Sequence, residues 1–232
     1  MTATREERDV SGENPAEALE ILQKTWDDEP WDHRVKFIAA LETGLSASDG
    51  AFLEAAIFDK RKEVRRLAIL LAAKIGDSKF ARQLFDFAAD SVIFDKKTGK
   101  IEPNLAKNGP HSHILEILGT AAAAKTGIAD GTILAEIIAL VPPENWENHF
   151  HETPEKLVRL FEAAELLPPI FEVMQAHFSE KWRLALLHFW AENPDRPAWN
   201  SPVWGQILTE LPTEIFDFEI KKVFSEKHFL LE

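Results

Sequence analysis

Four histidines stand in two pairs, and each pair has one residue between its members. Imidazole nitrogens are common zinc ligands, and four of them can complete a tetrahedral site. Side chains two positions apart face different ways on a helix, so each pair would need extended backbone to bind one ion. The neighbouring prolines and loop-forming residues allow such backbone. The candidate ligands of a metal-dependent enzyme are His111, His113, His149 and His151.

The same histidines also fit a structural interpretation, in which they face solvent or cap helices. We adopt this interpretation and expect no metal and no cofactor, because nothing in the sequence brings the two pairs together. The amino-acid composition also argues against a metal centre or an enzyme active site. The chain has no Cys and no Tyr, which excludes a thiolate zinc site, an iron–sulfur cluster and a cysteine nucleophile. Phosphate-binding loops and the Gly-x-Ser-x-Gly elbow are also missing, so the sequence offers no catalytic residue.

A second group of charged residues lies within positions 59–82, where eight basic residues accompany three acidic ones. The chain as a whole is acidic: among its 232 residues, 26 Lys and Arg stand against 39 Asp and Glu, for a formal net charge of −13. A local positive surface on an acidic protein can bind an acidic partner. The predicted partner-binding residues are Lys60, Arg61, Lys62, Arg65 and Arg66.

Two other interpretations of this basic segment stay open. The first is a ladder of surface ion pairs with solvated lysines between them. The second is nucleic-acid binding, which the net charge disfavours because phosphate binding depends on clustered positive charge. Residues 59–79 also lack the interleaved aromatics that stack on bases.

The elements that carry these residues are predicted to be helices. Apolar residues recur at helical spacing along most of the chain, and alternating strand-like runs are missing. The pattern predicts an all-α protein without strands. The predicted helices after residue 30 are 32–45, a short helix capped by Ser48, 62–75, 78–89, 111–125, 131–141, 154–166, 168–178, 179–192, 201–210 and 213–226.

Internal sequence repetition indicates how these predicted helices are arranged. Residues 35–41 are similar to residues 64–70 at an offset of 29, with Val, a base and Ala at equal positions. Periods of roughly 20–50 residues are typical of stacked helical arrays. A helix pair buries little core alone, so stacking of neighbours is needed for stability.

Residues 59–77 resemble a HEAT-type repeat, with an Asp in the turn, then Val64-Arg65, small and apolar residues, and Ile75-Gly76-Asp77. The clear match covers about residues 32–90. The resemblance implies a HEAT-like α-solenoid of stacked antiparallel helix pairs. It also implies a ladder between neighbouring turns, a role that it assigns to Asp59 and Arg65.

Over most of its length the chain is similar to an uncharacterised bacterial family with HEAT-like N-terminal repeats. The segments that carry this similarity are residues 31–38, 61–68, 146–157 and 182–187. Members of that family are often encoded near SWIM zinc-finger proteins and AAA-type ATPases. The resemblance therefore implies a place in a multi-protein system, with such proteins as candidate partners and with no defined activity.

These observations predict four regions and a role. The regions are a disordered tail at 1–13, HEAT-like N-terminal repeats at 14–94, a polar basic loop at 95–110 and a C-terminal helical repeat-like region at 111–232. No apolar stretch is long and uncharged enough for a secretory signal or a membrane span, which predicts a cytoplasmic protein. The predicted role is a non-catalytic scaffold that binds a protein partner.

Overall fold

The computed structural model of the protein describes residues 23–95, 97–126, 130–177, 179–193, 211–215, 217 and 221. Helix predominates among them, which confirms the all-α class. The predicted tail at 1–13 and the predicted helix at 201–210 lie outside the described residues, as does most of the predicted helix at 213–226. Within the described part of the chain, no helix is both long enough and apolar enough to cross a lipid bilayer.

The described residues form two compact units. Unit 1 takes those within Met1–Gln83 and His113–Ala121, and unit 2 takes those within Leu84–Ser112 and Ala122–Glu232. Two short 3₁₀ helices occupy Trp26–Asp28 and Ala47–Asp49. The other elements, numbered in chain order, are α1 Trp31–Leu41, α2 Gly50–Ala56, α3 Lys62–Lys74, α4 Lys79–Ser91, β1 Val92–Asp95, β2 Lys100–Pro103, α5 Ile114–Ile117, α6 Ala121–Thr126, α7 Asp130–Ile138, α8 Pro143–Phe150, α9 Pro154–Ala163, α10 Leu167–Ala176 and α11 Glu180–Glu192.

Helix α3 is the centre of unit 1, and both α1 and α2 pack against it. Its apolar residues recur at helical spacing, and Val64, Ala68 and Leu71 are fully buried or nearly so. The opposite side of the helix is exposed and starts with Lys62 and Arg66. The helix ends at Lys74, because Ile75 leaves helical geometry and Gly76 follows it. The same helix therefore gives unit 1 its core and a charged outer face.

Unit 2 is built around aromatic and aliphatic side chains on α8, α9 and α11. Helix α9 packs against α8, α10, α11 and strand β2. Proline opens both α8 and α9, at Pro143 and Pro154, where its missing N–H costs nothing. The side chains of Trp146, Phe161 and Trp182 are all inaccessible to solvent. Large rings thus supply much of the apolar area that holds this unit together.

The expectation of a strand-free chain is wrong at one place in unit 2. Strands β1 and β2 form an antiparallel hairpin, with Phe94 opposite Ile101 and Asp95 opposite Lys100. The hairpin overlaps the polar loop predicted at 95–110 and begins three residues before it. Asp95 organises the turn, because its carboxylate accepts the Lys97 N–H at 2.8 Å and the Thr98 hydroxyl at 2.9 Å. Those hydrogen bonds, with the Lys97 N–H as the main one, hold the pKa of Asp95 below its ordinary value.

The helices between residues 111 and 150 also differ from the prediction. The single helix expected at 111–125 is divided into α5 and α6, because Gly119 adopts a positive φ of 74° and ends α5. The Thr120 N–H then donates to the Leu115 carbonyl at 2.8 Å, which is the bonding of a left-handed helix end. Helix α8 was not predicted at all. The proposed solenoid stacking and the predicted limits at 14–94, 95–110 and 111–232 stay predictions.

Candidate functional site

The turn before α3 and the first residues of α3 carry the predicted partner-binding and ladder residues, and the Asp59 side chain holds the turn in place. The Asp59 side chain is almost fully buried, and its Oδ2 accepts a hydrogen bond from Arg34 Nη1 at 2.5 Å. Its Oδ1 accepts the Arg61 backbone N–H at 2.8 Å. The Arg34 guanidinium also lies over the ring of Trp26, 5.6 Å from the ring centroid. A carboxylate that would be costly to bury alone is thus paired and fixes the direction of the turn.

Arg65 holds the backbone of the same turn. Its Nη1 donates to the Asp59 carbonyl at 2.8 Å and to the Lys60 carbonyl at 3.2 Å. The structure therefore brings Asp59 and Arg65 together through a main-chain oxygen, and the charged partner of the Asp59 carboxylate is Arg34. Sequence reasoning missed Arg34. A sequence signal for Arg34 did exist. Arg34 directly precedes Val35, the first residue of the repeated segment, and so stands 29 positions before Glu63 at the start of α3.

The remaining four predicted cations form an exposed surface that we call the basic face, defined as Lys60, Arg61, Lys62 and Arg66. All four residues are exposed. None of them forms an ion pair with a carboxylate of the described residues, although Glu63 lies between them in sequence. The predicted ion-pair ladder is therefore not the arrangement at these four positions. Unpaired cations beside one another repel, and an acidic ligand would relieve that repulsion.

An exposed aromatic residue adjoins the basic face. Phe58 comes directly before the Asp59 turn, and 68% of its surface is accessible to solvent. Leu70 lies one helical turn after Arg66 on α3 and is 41% exposed. Aromatic side chains are enriched among the residues that dominate binding energy at protein interfaces. The basic face therefore combines charge with apolar contact surface, as protein-binding sites commonly do.

The first histidine pair is divided between the units. His111 belongs to unit 2, where its Nδ1 lies 3.4 Å from Asp90 Oδ2 and its Nε2 lies 3.7 Å from Asp86 Oδ2. Asp86 and Asp90 are four residues apart, so they share one side of α4. His113 belongs to unit 1 and is exposed. Both histidines lie in turns and do not form the extended segment that the zinc hypothesis needed.

The second histidine pair lies at the end of α8. His149 is in the last turn of the helix, and His151 ends it in a left-handed conformation with a φ of 56°. Together with Asp90, Phe94 and Glu152 they line a cleft of about 690 Å³ in unit 2. His149 therefore has a helical backbone and His151 a left-handed one. Neither has the extended backbone that the zinc hypothesis requires.

Aromatic rings surround His149. The ring centroid of Phe150 lies 4.7 Å from that of His149, that of Phe85 lies 5.8 Å away and that of Trp146 lies 6.4 Å away. Burial against these rings lowers the pKa of His149, and the charge of His151 lowers it further, while the carboxylate of Asp90 acts in the opposite direction. These contacts therefore favour the neutral form of the His149 imidazole.

The four histidines do not meet as a metal centre in the part of the chain that the structure describes. Within those residues, no group of three or more His, Asp or Glu side chains is placed to hold a metal ion. Within unit 2, Asp90 is near one member of each pair, since it faces His111 and lines the cleft with His149. The cleft therefore offers imidazole, carboxylate and aromatic surface to a ligand.

The chain matches one of the known protein families over most of its length. Residues 8–223 match DUF5691, which is described as a family of unknown function. No curated protein and no solved structure matches the chain.

Proposed function

The chain belongs to DUF5691, a family of unknown function, and we propose that it acts as a non-catalytic scaffold. In this proposal the basic face of unit 1 binds an acidic segment of a partner protein in the cytoplasm. The observation that carries the proposal is the set of four exposed cations with no ion pair to a described carboxylate, next to the exposed ring of Phe58. A stabilising surface would intersperse both signs of charge.

The local backbone supports the same conclusion. Lys60, Arg61 and Lys62 stand at the start of α3, where the helix dipole favours negative charge, and Glu63 is the only acid of the first turn. Arg61 is the N-cap residue and makes no side-chain capping hydrogen bond. Cations at this position reduce the stability of the helix. An acidic segment bound there would interact favourably with both the side chains and the helix end.

The rigid support under the basic face also fits a binding role. Asp59, Arg34 and Arg65 fix the turn from inside, so the exposed cations project from a backbone that need not be ordered on binding. We further propose that α1, α2 and α3 form HEAT-like repeats, which is supported by the packing of α1 and α2 on α3 and by the 29-residue repetition. An AAA-type ATPase or a SWIM zinc-finger protein is the first candidate partner.

The test uses two triple variants that change the net charge equally. The first is Lys60→Glu, Arg61→Glu and Arg66→Glu on the basic face. The matched control is Lys97→Glu, Lys100→Glu and Lys125→Glu, all at exposed positions of unit 2. Each tagged protein is purified from its own host after zero-length carbodiimide cross-linking, which joins lysine amines to carboxylates in contact. Circular dichroism and thermal melting check that both variants are folded.

We expect the wild type and the control to retain one stoichiometric partner, with cross-links from Lys60 or Lys62 to its Asp or Glu residues. The basic-face variant should lose that partner, and moderate salt should weaken retention by the wild type. Equal recovery with both triple variants would refute the proposal. So would partner loss on nuclease treatment, because nucleic acid would then be the true ligand.

A further inference from the structure

The cleft of unit 2 has an unusual wall, because three consecutive strand residues line it. Val92, Ile93 and Phe94 all border the cleft, which residues 149–152 also line. Successive side chains of a strand point to opposite faces of the sheet, so three in a row cannot all border a space with their side chains alone. The cleft therefore runs along the backbone edge of β1.

The hairpin register shows which backbone groups lie at that edge. Val92 pairs with Pro103, and the N–H of Asn104 donates to the Ser91 carbonyl at 2.8 Å. This bond makes the Val92–Pro103 and Phe94–Ile101 pairs the non-hydrogen-bonded ones of the ladder. The N–H and C=O of Phe94 thus point away from β2. Neither group has a hydrogen-bond partner among the described residues.

The two edges of the hairpin differ in how they are protected. Strand β2 packs against α9, and Pro103 removes one of its outward donors. Strand β1 carries the exposed side chain of Ile93, which is 45% accessible, and among the described residues β1 packs against no helix as extensively as β2 packs against α9. An uncovered strand edge is a template for the addition of another strand.

We propose that the cleft binds an extended segment of a partner protein as a third strand on β1, with a Lys or Arg side chain of that segment directed toward Asp90. The charges favour a basic segment. Among the described residues, Asp90 and nearby Asp86 have His111 as their ion-pair partner and no Lys or Arg, while Glu152 forms an ion pair with Lys156. The rings of Phe94 and Phe150, 5.8 Å apart, offer contact to the apolar residues that alternate along a strand.

This second site is independent of the basic face. It lies in unit 2, recognises the opposite charge, and depends on main-chain hydrogen bonds, so it could exist even if the scaffold proposal failed. The two sites would let one chain hold an acidic segment and a basic strand at the same time.

The probe is a synthetic peptide, acetyl-(Lys-Val)₃-amide, added to the full-length protein. One control peptide replaces Lys by Glu, and a second carries N-methyl groups on alternate residues to block strand pairing. Hydrogen exchange of the Phe94 amide is read by NMR. We expect rapid exchange in the free protein, slowed by the Lys-Val peptide, and binding at least about tenfold weaker for both control peptides.

Two substitutions of Phe94 distinguish the contribution of its backbone N–H to peptide binding from that of its aromatic ring. Phe94→Pro removes the outward N–H without removing a β1–β2 hydrogen bond, whereas Phe94→Ala removes the ring and keeps the N–H. Peptide binding should be about tenfold weaker in Phe94→Pro than in Phe94→Ala. Asp90→Asn should weaken the Lys peptide and leave the Glu peptide unchanged or slightly improved. Unchanged β1–β2 amide signals show that each variant keeps the hairpin.

Three results would overturn the proposal. The first is a Phe94 amide that is already protected in the monomeric free protein, since the chain itself would then cover the edge. The second is protection that rises with protein concentration without peptide, which indicates a second copy as the occupant. The third is equal binding of the N-methylated peptide, or no binding by any peptide at millimolar concentration.

Discussion

Two short connections of the molecule are stabilised in opposite ways. The turn before α3 in unit 1 is organised by a buried ion pair between Asp59 and Arg34. The corner after α8 in unit 2 is organised by packed rings, among them Trp146 and Phe161, whose centroids are 5.3 Å apart. This difference determines which charged and polar groups of each unit remain free to bind a partner. In unit 1 one internal pair fixes the turn and leaves four cations outside, whereas in unit 2 apolar packing fixes the corner and leaves polar groups at a strand edge.

The largest effect is expected from the aromatic side of this comparison. Trp146→Ala removes a fully buried indole and should cost about 3–5 kcal/mol of the free energy of unfolding. Hydrogen exchange during urea titration should show the loss at α8 and α9 amides and little change at α1 and α3. A uniform loss across both units would show that they unfold together. Trp146→Phe should cost much less, because the buried indole N–H has no hydrogen-bond partner among the described residues.

The next effect tests the buried ion pair. Asp59→Ala leaves the Arg34 guanidinium nearly buried without its carboxylate, and should cost about 3 kcal/mol, read at α1 and α3 amides. The double variant Arg34→Met, Asp59→Leu should recover much of that loss, because the charge is then absent as well. A double variant as unstable as Asp59→Ala would show that the hydrogen bond from Arg61 matters more than the charge.

A smaller effect is expected for an exposed pair in unit 1. Lys74 Nζ lies 2.7 Å from Glu42 Oε1, and this hydrogen bond and charge lower the pKa of Glu42. Lys74→Ala should cost about 0.5 kcal/mol, since both groups reach solvent. Because the folded pKa is the lower one, the stabilisation is present above pH 4.5 and is lost as the pH falls through the folded value. High salt should reduce it, in contrast to the Asp59–Arg34 pair.

The smallest effect concerns His149, and NMR titration of its imidazole measures it. Burial lowers its folded pKa, so the unfolded chain takes up a proton first and stability falls slightly as the pH drops below about 6.5. His151→Ala should raise the pKa of His149, and Asp90→Asn should lower it further. A pKa that neither substitution moves would show that the aromatic rings alone determine it.

The sequence was informative where periodicity is strong and poor where elements are short. Helix α3 was predicted at 62–75 and runs over Lys62–Lys74, because its apolar stripe is long and a glycine follows it. Strand β1 has four residues directly after a helix, too few to show alternation. Its signal was the apolar run Val92-Ile93-Phe94 followed by a turn whose Gly99 has a φ of 67°.

The candidate sites show the same limit. The cations of the basic face could be read from the sequence, because charge clustering within a few residues is visible in one dimension. The pairing of Asp59 with Arg34 joins residues 25 positions apart, and only tertiary packing reveals it. The cleft was harder still, since Asp90, Phe94 and His149 come from three separate elements. The histidine pairs were visible, but their backbone geometry was not.

At His151, which has a left-handed backbone and lines the cleft, the residue that is best for stability differs from the residue that is best for ligand binding. A side chain is disfavoured at a φ of 56° by about 1 kcal/mol, and glycine would avoid that strain. His151→Gly should therefore unfold at a higher urea concentration while it removes one of the two imidazoles that line the cleft. Selection for stability would favour glycine at this position, whereas selection for binding in the cleft would favour histidine. Variants selected for stability should therefore be tested for binding as well as for thermal unfolding.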